Sequence, residues 1–414
     1  MKRLHFVGIG GAGMAPLARL ALGNGFMITG SDLAPNAKTA ELEKHGVKVY
    51  GGHAAKNVAA DTDMLVYSSA VSEDNPERAA ALRLGIPQVR RGEFLAELAK
   101  RYRRVIAVSG AHGKSSTTAL LAHILTTAGM HPGFLIGAEM TGVGGFAPGR
   151  DRDIFVTEVD ESDGTHTFIR PALGLVPNIE EDHAWSVGGA EALMRNYATF
   201  GNNCARLIYR AGKQTDAVFR GHCNALRLDK MPETYLGFCG FQAANAFLAV
   251  TGAVELGVSR ATAEAAARTF PGIARRMNVR RRSDELTIVE DYAHHPSEIA
   301  AALDLLRHEF PGYHLRVLIQ PHRYARLEYF FDGFKRELAR ADSVLILPVF
   351  AAWSESGKVD SRDLAAAIPG ARYLSGDWKT VAEAALPPLP DRKPLLLAVL
   401  GAGDVERVFE YFPR

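Results

Sequence analysis

"VIAVSGAHGKSSTTALLAHIL", Val105 to Leu125, decides the reading of this chain. A buried-type strand runs into Gly-x-x-Gly-Lys-Ser, and an apolar helical pattern follows. Backbone N–H groups of such a loop hold phosphate oxygens, Lys114 reaches the outer phosphates, and the Ser115 hydroxyl ligates a divalent cation. The loop is a shortened one, because Val108 stands where the first glycine of the usual pattern would be. A Gly-Lys-Ser triplet by itself is common. One placed between a strand and a helix points to phosphate binding through Gly110, His112, Gly113, Lys114, Ser115 and Ser116.

The N-terminus carries a second signature of the same kind. "LHFVGIGGAGM", Leu4 to Met14, places Gly8, Gly10 and Gly13 in Gly-x-Gly-x-x-Gly between a strand and a helix. Glycines let a backbone approach a pyrophosphate, and a helix N-terminus offers unpaired N–H groups. Asp32 closes the following strand, where an acidic residue reaches a ribose in dinucleotide sites. The residues alone leave open whether NAD or a UDP-sugar binds there.

Acidic residues follow two further strands. "FVTEVDESDG" supplies Glu158, Asp160, Glu161 and Asp163, and "LVPNIEEDHAW" supplies Glu180, Glu181, Asp182 and His183. Magnesium takes hard oxygen ligands, and ligands of open α/β sheets sit at the carboxyl ends of strands. Some of these residues are expected to be an ordinary exposed acidic loop. In the last third, "EDYAHHPSE" (Glu290 to Glu298) and "IQPHRYAR" (Ile319 to Arg326) also follow apolar strands. Arg323 and Arg326 have the chemistry to fork a carboxylate, although a pair of solvated arginines is the plainer reading.

Composition narrows the class. With 414 residues and 47% hydrophobic content, the chain is long enough for two or three cored domains. Basic and acidic residues number 48 and 46, a balance that argues for neither nucleic acid nor a membrane surface as partner. Three cysteines, Cys204, Cys223 and Cys239, build no disulfide framework and fit a reducing compartment. No secretory leader pattern and no eighteen-residue apolar run occurs, so a cytoplasmic protein is expected. Strands alternate with helices throughout, which predicts α/β architecture with parallel sheets. Boundaries are expected near Arg103 and Val279, giving segments 1–103, 104–278 and 279–414.

Taken in order, "GIGGAGMAPLA", "GSD", "GAHGKSSTT", "EVDESD", "NIEEDH", "DYAHHPSEI", "QPHRYAR" and "GAGD" resemble the Mur ligase family from end to end. That family joins amino acids or peptides to peptidoglycan precursors with ATP. The resemblance implies three domains: a Rossmann-like UDP-sugar domain, a P-loop-type ATPase domain and a Rossmann-like amino-acid domain. It implies UDP-N-acetylmuramate, L-alanine and ATP as substrates, with Mg2+ (or Mn2+) as cofactor, in a monomer or homodimer. Carried over by motif, Lys114, Glu158 and His183 are catalytic, and Ser115, Glu158 and His183 hold metal. Gly10, Gly11, Gly13, Asp32, Ser68 and Ser69 take the UDP-sugar. Asn245, Arg276 and Asp291 join the ATP site, and His322, Arg323 and Arg326 form the amino-acid pocket.

Three departures stand out. Ala111 replaces a threonine usual in the phosphate loop, Gln242 replaces an asparagine near Asn245, and the segment from Ala184 to Cys239 is short for the family. The near alternative is the sister ligase that recycles murein tripeptide. "QPHRYAR" and "VFAAWSESGKVDSRDL" resemble the alanine-adding branch more. From other classes, an NAD-dependent oxidoreductase and a non-catalytic nucleotide-binding regulator are the competing readings.

Overall fold

The computed structural model describes residues 1–352, 356–386 and 393–412. The segment 353–355, part of the "VFAAWSESGKVDSRDL" stretch, lies outside the described residues. The chain divides into two compact units, Met1–Gly272 and Ile273–Arg414.

The first unit contains two open sheets. The N-terminal one has strands β1 (Arg3–Val7), β2 (Met27–Asp32), β3 (Lys48–Gly51), β4 (Met64–Tyr67) and β5 (Gln88–Arg90), all parallel in the order β3-β2-β1-β4-β5. The order reverses beside β1, so the loop leaving β1 opens into the crevice where such sheets bind ligands. β1 reads as an apolar run because it is central and covered on both faces: Leu4, Phe6 and Val7 are fully buried.

The second sheet has β6 (Arg104–Val108), β7 (Gly133–Met140), β8 (Gly144–Ala147), β9 (Ile154–Glu158), β10 (Leu173–Val176), β11 (Leu207–Arg210) and β12 (Ala225–Leu228). Their order is β12-β11-β10-β6-β9-β7-β8, parallel except for the β7–β8 hairpin. β6 therefore lies between β9 and β10. The phosphate loop and both acidic runs leave three adjacent strands at their carboxyl ends. Helix Lys114–Thr127 packs its apolar side inward, with Ala119, Leu121, Ile124 and Leu125 fully buried.

The short segment from Ala184 to Cys239 folds as two helices, β11, β12 and a two-residue ladder between β13 (Thr234–Tyr235) and β14 (Phe238–Cys239). That ladder is all the antiparallel structure found there among the described residues.

The second unit is built on β15 (Asn278–Arg282), β16 (Leu286–Asp291), β17 (His314–Ile319), β18 (Ser343–Ile346), β19 (Arg372–Tyr373) and β20 (Leu395–Leu400). Their order is β15-β16-β20-β17-β18-β19, with only β15 antiparallel. The unit begins slightly ahead of the boundary expected at 279. The residues before β15 bond to this sheet's loops: Met277 N–H donates to Asp291 Oδ2 at 2.7 Å, and Arg275 Nη2 donates to Gly401 O at 2.8 Å.

Candidate active site

The phosphate loop is bonded across to Asn178 on the neighbouring strand's loop. Gly110 has φ +151°, and a Cβ there would stand 2.7 Å from Asn178 O. Ala111 N–H donates to that same carbonyl at 3.3 Å. Asn178 also pins His112 on both sides: its Oδ1 accepts from His112 N and its Nδ2 donates to His112 O, each at 2.9 Å. Only backbone groups and a glycine are needed at this contact, so Ala111 in place of threonine is accommodated. Gly113 adopts φ +81° and packs against Asn245, whose Oδ1 would lie 2.6 Å from a Cβ. Asn245 is thus beside the loop, and its buried Nδ2 has no protein acceptor. Ser116 lies half-buried in the first turn of helix Lys114–Thr127.

The charged core of the site is compact. Lys114 Nζ donates to Glu161 Oε2 at 2.8 Å and to Gly110 O at 2.6 Å. Ser115 Oγ donates to Glu158 Oε2 at 2.6 Å. Glu158 ends β9, and its carboxylate occupies the space left by Gly137 on β7, where a Cβ would be 1.9 Å from Oε1. Asp160 and Asp163 face Arg91, whose Nη2 lies 3.4 Å and 2.5 Å from them.

Electrostatics follow from that crowding. Burial pushes Glu161 up to about 7, against the pull of Lys114. Burial also raises Glu158, against its bond from Ser115. Burial opposes the charge of Asp160, but Lys114 and Arg91 outweigh it and hold Asp160 below the usual carboxylate range. Burial likewise opposes the Lys114 charge, while Glu161, Asp160 and Glu158 hold it well above an ordinary amine. Lys114 therefore keeps its proton at neutral pH, in direct contact with the Glu161 carboxyl.

His183 sits at φ +66° at the start of the turn Ala184–Ser186. Its Nε2 lies 3.4 Å from Asp182 Oδ2, and its ring leans on Trp185 at 5.5 Å. Ser186 Oγ donates to Ser162 O at 2.7 Å, which fastens this turn to the acidic loop. His112 Nε2 is 3.4 Å from Glu180 Oε2. The structure therefore brings the phosphate loop, Glu158, Glu161 and the His183 turn to one end of the second sheet.

Gly8 turns at φ +77°, and Gly8 N and Ile9 N both donate to Ser31 O. Asp32 uses its carboxylate inside the loop: Oδ2 accepts from Gly10 N at 2.8 Å and Oδ1 from Ala34 N at 3.1 Å. A Cβ on Gly10 would meet Asn36 and Asp32 within 3 Å. Gly11 N–H donates to Gly8 O at 3.2 Å. Ser68 lies against Gly8, and Ser69 is exposed just past β4.

In the second unit, Asp291 ends β16 and accepts from Met277 N and Ala293 N. Burial pushes it up to about 6, against Arg276. Arg276 lies over the Tyr292 ring at 5.1 Å and donates to Glu298 Oε1 at 3.1 Å. His322 stacks on Phe350 and meets His294 edge-on. Arg323 has φ +70°, a conformation rare for arginine, fixed by Arg323 N–H donating to Phe350 O. Arg326 is only 1% exposed and donates to His322 O at 3.2 Å. The two arginines thus have different settings.

Sequence reasoning did not single out Asn178, Gly137 or Arg91, and treated Glu161 only as one of an acidic run. Asn178 and Gly137 carry no local signal, since their roles are contacts across strands. Glu161 is distinguished only by its bond to Lys114.

Residues 3–103 match the profile described as the Mur ligase family catalytic domain, and residues 275–402 match the Mur ligase glutamate ligase domain. The UDP-N-acetylmuramate–L-alanine ligase of Methylococcus capsulatus is 34% identical over 457 positions, covering 100% of this chain and 96% of the relative. That of Persephonella marina is 34% identical over 442 positions, covering 99% and 95%. Both alignments are longer than the chain, so these relatives carry insertions that it lacks. The crystal structure of UDP-N-acetylmuramate–alanine ligase from Thermotoga maritima superposes with TM-score 0.83 at 23% identity, covering 99% of each chain. A murein peptide ligase from Psychrobacter arcticus gives 0.72 at 22%, covering 99% and 98%. Matched from end to end by these relatives, the chain belongs to the Mur ligase family.

Proposed function

We propose that this protein is an ATP-dependent ligase that joins L-alanine to the lactyl carboxylate of UDP-N-acetylmuramate, in peptidoglycan precursor synthesis. The observation that carries the reading is the full-length similarity to ligases of that name, which spans both cradles and the C-terminal unit. In this reading 1–103 takes the UDP-sugar, 104–278 takes ATP, and 279–414 takes the amino acid.

The donors at the second cradle fit a magnesium ion. A serine hydroxyl and a carboxylate, Ser115 and Glu158, stand side by side, and His183 lies on an adjoining turn. Among the described residues, the four carboxylates Glu158, Asp160, Glu161 and Asp163 are met by Lys114 and Arg91. Bound there, Mg2+ supplies charge neutralisation and orientation of the polyphosphate. The reaction brings a carboxylate anion against a polyphosphate, so fixed positive charge is its main requirement. Lys114 leaves Glu161 for the transferring phosphoryl oxygens. The lactyl carboxylate oxygen attacks the γ-phosphorus, ADP leaves, and an acyl phosphate forms. The amine of alanine then attacks the acyl carbon, losing a proton, and inorganic phosphate departs with the C–O bond electrons. Asn245, beside Gly113, presents its amide to the adenine. Arg323, with its backbone held in place, presents its guanidinium to the alanine carboxylate.

Phosphate release with UDP-N-acetylmuramate, ATP and Mg2+ against a panel of amino acids tests this. L-alanine is expected to give the highest kcat/KM. Preference for murein tripeptide, or turnover without the UDP-sugar, overturns it.

A further inference from the structure

The acidic loop after β9 runs into a turn, Thr165–Thr167, that packs against the helix Ala190–Asn203. Asn203 Nδ2 donates to Thr167 O at 3.0 Å. The His166 ring rests on Tyr197 and Phe200, with centroids 5.1 Å and 6.1 Å away. His166 and Tyr197 are both fully buried. His166 reaches back to the loop, where its Nδ1 lies 3.3 Å from Asp160 O. A carbonyl only accepts, so the ring proton sits on Nδ1 and Nε2 keeps its lone pair. Burial pushes the ring down to about 4, against the bond to Asp160, which keeps it neutral.

Two buried polar atoms here, His166 Nε2 and Tyr197 Oη, have no hydrogen-bond partner among the described residues. Native interiors rarely leave such atoms unmet, because an unpaired buried polar group keeps its full desolvation cost. The two are complementary. Nε2 is a lone pair that needs a donor, and the phenol is a hydroxyl that needs an acceptor. Burial, and then the charges of Glu161, Asp160, Asp182 and Glu180, hold the phenol protonated, so it stays a donor. Phenylalanine would supply the ring packing at either position, so packing alone does not account for the polar atoms.

We propose that Tyr197 is the donor that His166 Nε2 requires, directly or across one internal water, and that this link positions the Asp160–Glu161 peptide. The order is Tyr197 hydroxyl, His166 ring, Asp160 carbonyl. The next residue along is Glu161, whose carboxyl meets Lys114. Tyr197 and His166 are positioning residues, acting on the site through that peptide. Their kinetic effect rests on the ligase reading, in which Lys114 serves the transferring phosphoryl group.

Nitrogen-15 spectra of histidine-labelled protein read the ring directly, with His166 assigned by the signal lost in His166→Asn. The expected state is a neutral ring protonated on Nδ1 down to about pH 5. Tyr197→Phe is expected to move the Nε2 resonance toward that of an unbonded nitrogen. A ring protonated on Nε2, or an Nε2 resonance that Tyr197→Phe leaves in place, overturns the link. Phosphate release with ATP, UDP-N-acetylmuramate and L-alanine reads the positioning. His166→Phe is expected to lower kcat roughly tenfold with little change in the KM for L-alanine. Tyr197→Phe is expected to lower it about fivefold. The double variant should be no slower than His166→Phe, because Tyr197 acts through the ring. His166→Asn, which keeps a donor near the place of Nδ1, should stay closer to the unaltered kcat than His166→Phe. Losses that multiply in the double variant, or no loss in His166→Phe, overturn the positioning role. No turnover by the unaltered protein would overturn the ligase reading instead, and the spectra then decide the link.

Discussion

Lys114 Nζ lies 2.8 Å from Glu161 Oε2 and 2.6 Å from Gly110 O, folded back over the loop it serves. Glu161 is 1% exposed, so this is a buried pair whose members depend on one another. The lysine is held charged and close to the loop.

Lys114→Ala is expected to lower phosphate release by at least roughly 10²–10³-fold, the scale for loss of one preorganised charge contact. It also strands Glu161. A carboxylate with a raised folded-state pKa contributes stability that is present below its unfolded value and lost as pH rises through the folded one. Glu161 already stands at about 7, and losing its cation moves it further up. The gap in melting temperature between the variant and the unaltered protein should therefore widen as pH rises above about 7, where only the unaltered protein's Glu161 ionises. A gap that does not vary with pH removes Glu161 from this role.

Glu158→Ala and His183→Ala should both raise the Mg2+ concentration needed for half-maximal activity. Glu158 bonds Ser115, and the His183 turn is tied to the same acidic loop through Ser186. Excess Mg2+ should partly restore Glu158→Ala. Unaltered metal dependence in both variants would take them out of the site.

Gly137→Ala separates site from fold. The new methyl would stand 1.9 Å from Glu158 Oε1, the far end of a flexible side chain. The expected outcome is a melting point within a few degrees of the original, with the Mg2+ requirement raised roughly tenfold, since displacing one ligand by about 1 Å commonly costs that order or more. Normal metal dependence would show that Glu158 need not stay beside Ser115.

The two arginines of the second unit should behave differently. Arg323→Lys keeps the charge but loses the planar fork, and is expected to raise the KM for alanine far more than those for ATP or the UDP-sugar. Arg326 is buried and bonds the His322 carbonyl, so Arg326→Lys should lower the melting temperature by several degrees. A shift in the UDP-sugar KM alone for Arg323→Lys would misplace the amino-acid pocket.

Much of this was legible in the chain. The strand–loop–helix settings of Gly8 to Gly13 and Gly110 to Lys114 were readable because glycine spacing and apolar runs are local properties. The acidic residues at the ends of β9 and β10 were readable for the same reason. Their mutual positions were not, because strand order is set by pairing across the sheet: β6 lies between β9 and β10 although β7 and β8 precede them in the chain.

Where a role depends on a neighbour far along the chain, the amino-acid pattern was silent or incomplete. Asp32 has the spacing of a ribose ligand, and only the fold shows its carboxylate accepting from Gly10 N and Ala34 N. Gly13 fits a phosphate fingerprint, yet its missing side chain makes room for Arg91, 78 positions on. Arg323 and Arg326 form one motif, yet one has a strained backbone and the other lies in the interior. The sequence alone determined which chemical groups are present and the local elements that carry them, since periodicity and turn chemistry act over a few residues. Only the tertiary structure decided which groups meet, because burial and charge pairing are settled by strands and loops that the chain brings together over long separations.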